Sequence, residues 1–571
     1  MAINSGHSFL SGIAKHSRDR KPTSNEKETG STMSRDDIMD NKDYLLVDLP
    51  TRETLVEFTE DSEANPNNWP LSKKVYNGVI ALIVVLNSGI SSSLPSNAVP
   101  AIMQDFNLSG GGQKVLPTAI FLIGYCIGPL IFSPLSETIG RRPVIFWTFT
   151  VFWLGTLGCA LAPNWTSLLI FRVICGTMAA APQTVVGGLY ADMFSDLRAR
   201  GRAMAMYMSA TSFGPIIGPI ISGCSVQYGW RWTFRIDLIL SGLTWIGLLF
   251  LSETFSPALL KKHSRKLRKE SGSDRYIAPQ ELKSDAAFTL TQTFTRPLTM
   301  LVFEPIVLFT GIFISLAWSM VFFYFQAYPI IFQRKCLNIM IRTISKTNIL
   351  QRLTTSMLRK HLLHTFQVST ICLHAGRVHG TSNLYIAVGI GAASSCLFAL
   401  FYDAFYEKAK RSGKRWASSP EYHRLPTSCV AGPCLTISLF WLAWSAKSSV
   451  HWIVPVLSGF VFGVGYQSIF ISLLTYVTDA YRIYSASALA SSMILRSIAG
   501  ALFPLAADPL YAKLGVSWGT SVLGFASLGC IPIPFALLYF GPWIRKQSAF
   551  CQRLLEEDML KSGGARTPQE A

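Results

Sequence analysis

Charge is scarce in this chain. Asp, Glu, Lys and Arg make up only 15% of its 571 residues, against roughly 25% in soluble globular proteins. The mixed polar and apolar windows from which a surface helix is built are also rare. Apolar residues instead form 50% of the sequence, mean hydropathy is +0.33, and long blocks such as 75–94 and 143–161 hold most of them. These features exclude a secreted enzyme, a coiled coil and a nucleic-acid-binding domain. They point to an all-α membrane protein with several passes. No Cys-x-x-Cys pair occurs among the eleven cysteines. Cys126, Cys159, Cys175, Cys396 and Cys530 lie inside apolar blocks, where a free thiol behaves as a small hydrophobe. An apolar core near Met1 is also lacking, so no cleavable signal peptide is expected. Residues 1–74 are polar and dense in charge and read as a disordered cytoplasmic tail.

What is present is a set of twelve apolar blocks, each near the ~20 residues that cross ~30 Å of hydrocarbon. They fall at 75–97, 114–133, 143–162, 166–191, 203–226 and 234–252, then at 302–332, 384–403, 429–446, 451–477, 486–509 and 518–541. A polar stretch divides them into two sets of six. The expected organisation is a six-helix bundle over 75–253, a cytoplasmic linker over 254–297, a second bundle over 298–541 and a cytoplasmic tail over 542–571.

The formal charge of +18 is the excess that collects in cytoplasmic connections, which is a simpler source than a nucleic-acid partner. Arg141 and Arg142, Arg198 to Arg202, the 261–275 cluster, Lys408 to Arg415, Arg482, Arg545 and Lys546 all fall on one side. The connections 98–113, 163–165 and 447–450 on the other side carry very little positive charge. Both ends therefore face the cytoplasm. Two glycosylation sequons, at Asn107 and Asn164, fall on the outer side, close to the membrane.

One connection breaks this pattern. Residues 334–380 hold eight Lys or Arg and no Asp or Glu, yet the helix count places them outside. Without them the excess would be +10. His361, His364, His374 and His379 also lie there, but their spacing is not a specific ligand set, so no metal is expected. The stretch reads as an atypical basic insertion, of the kind a translated non-coding segment would leave.

Several strings carry mechanism. Ser133-Pro-Leu-Ser-Glu137-Thr-Ile-Gly140-Arg141-Arg142-Pro143 joins an acidic helix end, a glycine turn and paired arginines. Arg141 and Arg142 alone would be ordinary in an inside loop. The whole string resembles the loop signature of the major facilitator superfamily, with Ser133 for a glycine and Glu137 for the usual aspartate. Asp403, followed by Lys408 to Arg415, stands at the matching place in the second half, as the superfamily's repeated halves imply. Arg172, four residues before Gly176, lies in the fourth block. An arginine in hydrocarbon costs at least ~2.5 kcal/mol on insertion scales, so Arg172 faces the bundle interior or snorkels to the outer interface. It resembles the fourth-helix motif that the superfamily's exporters associate with proton transfer. In the fifth block Ala210, Gly214, Gly218 and Ser222 make a smooth ridge, with Pro215 and Pro219 beside it. Gly214-Pro-Ile-Ile-Gly218-Pro219 resembles the antiporter motif of drug:proton exporters.

Further strings are similar to the fungal twelve-span drug:proton antiporter branch, which includes multidrug, polyamine and secondary-metabolite exporters. They are Asn65-Pro-Asn-Asn-Trp-Pro70, Gly229-Trp-Arg-Trp-Thr-Phe234, Glu253-Thr-Phe-Ser-Pro257, Glu304-Pro-Ile306, Tyr476-Val-Thr-Asp479-Ala-Tyr481, and Arg496 with Gly500-Ala-Leu-Phe-Pro504. The likeness covers about 65–333 and 381–546. Two departures stand out. The basic stretch replaces a short Gly-rich connection, and Arg235 and Asp237 replace apolar positions, where they are expected in the headgroup layer. Leu108-Ser-Gly-Gly-Gly-Gln113 approaches an ABC-transporter signature, but no Walker A loop accompanies it.

The resemblance implies a major facilitator fold of 12 transmembrane helices in two six-helix bundles. It implies proton-coupled efflux by alternating access, with Arg172, Glu304 and Asp508 as coupling candidates. Glu304 equally suits an anchor at the start of the seventh helix. Trp318, Phe322, Phe323, Tyr324, Phe325 and Tyr328 either stack on a flat substrate or pack in the core. The expected partners are the lipid bilayer, a small hydrophobic metabolite or xenobiotic, and protons. The working unit is expected to be a monomer in the plasma membrane or the vacuole, with no cofactor and no catalytic residue. A polyamine exporter is the second reading, and a non-transporting sensor or a product disabled by 334–380 is the third.

Overall fold

The computed structural model describes residues 43–346 and 385–552, apart from breaks at 49–52, 109, 280, 282–285, 420, 448–449, 452, 482–483 and 549. Within hydrocarbon every backbone N–H and C=O must be bonded inside its own segment, so the apolar blocks become helices. Eleven described helices are long and apolar enough to cross a membrane. The last of them, Ser485–Gln547, has 63 residues, about three times the length a single crossing needs. A 3-10 turn at Phe503–Ala506 and a left-handed Gly515 (φ 70°) divide it into two crossings, which makes twelve.

The twelve are α1 Leu71–Ser93, α2 Leu116–Ile139, α3 Arg141–Leu161, α4 Trp165–Met193, α5 Leu197–Ser225 and α6 Trp230–Leu249, then α7 Pro305–Lys346, α8 Tyr385–Arg411, α9 Glu421–Ser445, α10 Ile453–Tyr481 and α11 Ser485–Leu502. The crossing α12 joins the later part of Ala507–Cys530 to Pro532–Gln547. Several helices outrun their apolar blocks: α5 begins at Leu197 instead of 203, and α9 at Glu421 instead of 429. Hydropathy marks only the part in hydrocarbon, whereas the helix continues into the polar layer until a cap stops it. Asp196 is such a cap, accepting from the Ala199 amide at 3.0 Å. The seventh crossing starts at Pro305, after a separate helix, Ala286–Phe303, whose Leu298, Val302 and Phe303 are exposed. From Pro305 the helix runs 42 residues, into the basic stretch. The histidines at 361–379 lie outside the described residues.

The packing repeats between halves. In the first half α1 lies on α5, α2 on α4, and α3 on both α4 and α6. In the second, α7 lies on α11, and α9 on both α10 and α12. Glycines allow the closest approaches. A Cβ at Gly176 of α4 would run into the Phe121 carbonyl of α2, and one at Gly463 of α10 into the Val388 carbonyl of α8. The two six-helix bundles meet along α2–α11 and α5–α10.

A small clasp lies at the end rich in Arg and Lys. Strands β1 Tyr44–Asp48 and β2 Thr54–Phe58 pair antiparallel, with Tyr44 opposite Phe58, and β2 pairs in parallel with β3 Tyr276–Ile277. The helix Ser256–Ser271 covers them through Leu260, which packs with Val56 and Ala278. Residues 44–48 and 54–58 are therefore folded, contrary to the disordered tail read for 1–74: their short apolar runs were hidden by the polar segment around them. The Tyr44 ring stacks on His263 at 3.6 Å. Burial, then the charge of Lys266, pulls the His263 imidazole below its ordinary range. The unfolded clasp thus binds more protons below pH ~6.5, and the clasp loses stability as pH falls through that value. Protection from hydrogen exchange at 44–48, 54–58 and 276–277, taken relative to the intrinsic rate at each pH, is expected to fall between pH 7.5 and 5.5 in the wild type and to stay level in His263→Phe.

Candidate functional site

The Arg/Lys-rich end of the first bundle is built around a glycine that no other residue replaces cheaply. Gly140 has φ +105°, a left-handed value, and a Cβ there would meet Glu253 Oε2 at 2.5 Å. Glu253 lies against the start of α3 and accepts from the amides of Arg141 at 2.9 Å and Arg142 at 3.0 Å. A carboxylate at a helix N-terminus satisfies donors that the helix leaves free. The Arg141 side chain runs inward: Nε bonds Asp192 of α4 at 3.2 Å, Nη1 bonds Ser136 at 2.6 Å, and the guanidinium lies 4.8 Å from the Phe255 ring. Arg142 donates to the Leu249 carbonyl at 3.1 Å. Asp192 is the carboxylate that pairs with the Arg141 guanidinium.

The second bundle repeats the device with other residues. Asp403 of α8 contacts His423 Nε2 at 2.7 Å and Arg424 at 3.6 Å, and Arg424 Nε bonds Asp479 of α10 at 3.0 Å. Arg424 thereby ties α8, α9 and α10, and its Nη2 lies where a Cβ on Gly201 of α5 would be, 2.8 Å away. Glu304 is buried just before α7 and accepts from Tyr481 Oη at 2.8 Å and Ser548 Oγ at 3.0 Å. These contacts give it the geometry of an anchor between the ends of α7, α10 and α12.

Within the first bundle Arg172 is fully buried and does not snorkel. It donates to the carbonyls of Pro117 at 2.9 Å, Ser91 at 2.9 Å and Ser92 at 3.2 Å, and it lies 4.3 Å from the Phe121 ring. Asp237 is equally buried, close to Ser91 and within electrostatic reach of Arg172. Neither of its oxygens has an aligned hydrogen bond among the described residues. This corrects the headgroup placement of Asp237. The buried residues of α6 are Trp230, Thr233, Phe234, Asp237, Ser241, Thr244 and Leu248, a stripe at steps of three and four that carries Asp237 inward.

On α5 the Gly-Pro ridge faces α1. A Cβ on Gly214 would lie 2.5 Å from the Gly89 Cα, and one on Gly218 would overlap Ser93 Oγ. Pro215 and Pro219 stay inside the continuous helix. Between the bundles, Arg496 of α11 is buried with its guanidinium 4.9 Å from Trp318 and 5.0 Å from Phe470. Phe322, Phe323, Tyr324 and Phe325 are also buried, while the Tyr328 side chain lies outside the described residues. Asp508 lies away from this centre. It is partly exposed and pairs with Lys114 at 3.3 Å, linking the two bundles at the other end. Asn164 caps α4, accepting from the Ser167 amide at 2.8 Å, and Asn107 is an exposed turn residue at φ 53°.

A family model described as Major Facilitator Superfamily matches residues 81–340. The efflux pump FUB11 of Gibberella moniliformis is 33% identical over 503 residues, covering 87% of this chain and 77% of that one. The chain belongs to the major facilitator superfamily. An ascochitine biosynthesis cluster transporter of Didymella fabae is also 33% identical, over 88% of this facilitator and 90% of its relative. The multidrug transporter mdrA of Aspergillus fumigatus is 31% identical over 88% and 78%. Among solved structures, the proton:xylose symporter XylE superposes with a TM-score of 0.53 over 82% of this chain and 96% of that one. At 16% identity that likeness bears on the fold alone.

Reading the facilitator's sequence missed Asp192, His423 and Arg424, and misplaced Asp237. Asp237 was visible in the helical step; the others join residues 20, 51 and 55 positions apart, and only the packing brings them together. The α2–α4 contact supplies a test. Gly176→Ala places a methyl against the Phe121 backbone, an overpacking expected to cost about 1–3 kcal/mol. Thermal unfolding of the detergent-purified protein should shift down for Gly176→Ala. It should not shift down for Gly247→Ala, where nothing lies within 4 Å of the added atom.

Proposed function

We propose that this facilitator is an exporter that moves a small, largely hydrophobic compound outward in exchange for protons, by alternating access between its two bundles. The observation that carries the reading is Asp237 beside Arg172 in the interior of the first bundle. Ionisable groups in hydrocarbon are expensive and are typically retained for use. A carboxylate there can take or release a proton as water and neighbouring charge change between conformations. Asp237 replaces Glu304 and Asp508 as the coupling acid in this proposal, and Arg172 is the positioning cation. The double Gly-Pro ridge of α5 against α1 supports export over import. The curated relatives, named as efflux pumps, a biosynthesis-cluster transporter and a multidrug transporter, support it as well. Glu253 with Arg141, and Arg424 with Asp403 and Asp479, act in this reading as latches that hold the inner end closed until the bundles rock. The plasma membrane is the proposed location, with a monomer as the working unit.

The polyamine reading gains nothing from the centre, where the buried charge is the cation of Arg496. Proteoliposomes with an imposed pH gradient provide the test, with ethidium, rhodamine 6G and 2-naphthoate as probes. Gradient-driven movement of at least one probe is expected. It should fall tenfold or more in Asp237→Asn and persist in Asp508→Asn, whose partly exposed pair with Lys114 contributes at most about 1 kcal/mol. Absence of gradient-dependent movement for every probe would favour a sensor, and unchanged coupling in Asp237→Asn would remove that residue from the mechanism.

A further inference from the structure

Three arginines are buried among the described residues, Arg141, Arg172 and Arg496, and Arg424 is partly buried; all but Arg496 are satisfied. Arg172 has three backbone carbonyls, Arg141 has Asp192 and Ser136, and Arg424 has Asp403 and Asp479. Arg496 has no hydrogen bond and no ion pair among the described residues, and its Nε is buried without a partner. It lies in the middle of α11 with 4% of its surface exposed. Every titratable neighbour in its electrostatic reach among the described residues is a tyrosine, namely Tyr125, Tyr207 and Tyr466. No Asp or Glu is among them.

Other polar groups beside it are also unpartnered. Trp318 Nε1 and Tyr466 Oη are buried without hydrogen-bond partners among the described residues, and each of these groups can donate. The guanidinium lies against Trp318 and Phe470, whose rings stack at 5.5 Å with an interplanar angle of 25°. Tyr466 continues the aromatic wall 5.9 Å from Phe470. Unsatisfied donors in a dry site are costly, which favours a guest that supplies acceptors. A guanidinium presents parallel N–H groups that match a carboxylate, and flat aromatic walls match a ring.

We infer that this centre binds an organic anion: a carboxylate on a flat, hydrophobic ring, held by Arg496 with Trp318 and Tyr466. The inference rests on the exporter reading and names its substrate class. Tyr125 gives the site a physical route to the coupling acid, since Arg496, Arg172 and Asp237 all lie in its electrostatic reach. Exchange of an anion moving out for a proton moving in carries two charges in the same electrical direction. Export is then driven by membrane potential as well as by the pH gradient.

The experiment uses full-length protein in detergent with no gradient, and three probes on one scaffold: 2-naphthoate, the neutral isostere 2-naphthamide, and the cation 2-naphthylmethylammonium. Titration calorimetry at pH 7 should show 2-naphthoate binding at least tenfold more tightly than either analogue. Arg496→Gln should erase that preference by weakening 2-naphthoate far more than 2-naphthamide, and Arg496→Lys should retain part of it. Equal affinities for naphthoate and naphthamide in the wild type would overturn the inference, and this comparison holds even if Arg496→Gln fails to fold. Unchanged naphthoate affinity in a folded Arg496→Gln would overturn it too. Because binding is read without a gradient, anion preference without gradient-driven transport would sink the exporter reading alone. Gradient-driven transport without anion preference would sink this one alone.

Discussion

Two helices in hydrocarbon have no water to expel, so their contact depends on how closely the backbones approach. In this molecule that approach is set by bare glycines: Gly124, Gly128 and Gly176 between α2 and α4, Gly89 and Gly214 between α1 and α5, and Gly391 and Gly463 between α8 and α10. Much else depends on these contacts. Only because α1, α2 and α4 are drawn together does the Arg172 guanidinium reach carbonyls on two neighbouring helices at about hydrogen-bond length. The polar interior is a by-product of the close backbone fit.

The inward-facing arginines show what the fold does with charge once packing is fixed. At the Arg/Lys-rich ends carboxylates are at hand, and Arg141 and Arg424 are enclosed by them. In the interior of the first bundle the cation is met mainly by main-chain dipoles, which are neutral and cannot be titrated away. Between the bundles the donors are left open. The gradation from closed pair to dipole cage to open donor runs from rigid joint to moving interface.

The twelve crossings were legible in the sequence because hydrophobicity over ~20 residues is a property of the local chain. The loop glycine, the Gly-Pro ridge and Arg172 were legible as well, since each requires an unusual residue at a fixed spacing. The partners were not. Arg141 finds Asp192, and Arg172 lies near Asp237, across helix contacts that leave no trace in neighbouring residues. Asp237 was misplaced because its block begins with Trp, Arg and Trp, a composition that suggests the interface; the stripe from Trp230 to Leu248 shows that the helix is already inside. The clasp strands were overlooked for a similar reason, as five-residue runs such as Tyr44–Asp48 are short beside the polar segment that contains them.

The clasp also bears on where the polypeptide can be cut. The segment that precedes α1 and the strand that follows the helix Ser256–Ser271 belong to one small sheet, so the connection between bundles is not a slack tether. A nick after Ile277, before the helix Ala286–Phe303, leaves all three strands with the first bundle, and the two fragments keep their own elements. A nick between Leu249 and Ser256 separates β3 and its covering helix from β1 and β2 along the chain, so reassembly must re-form a sheet as well as a membrane interface. Split reporters and affinity handles therefore belong on the far side of β3, where the covalent junction and the structural junction coincide.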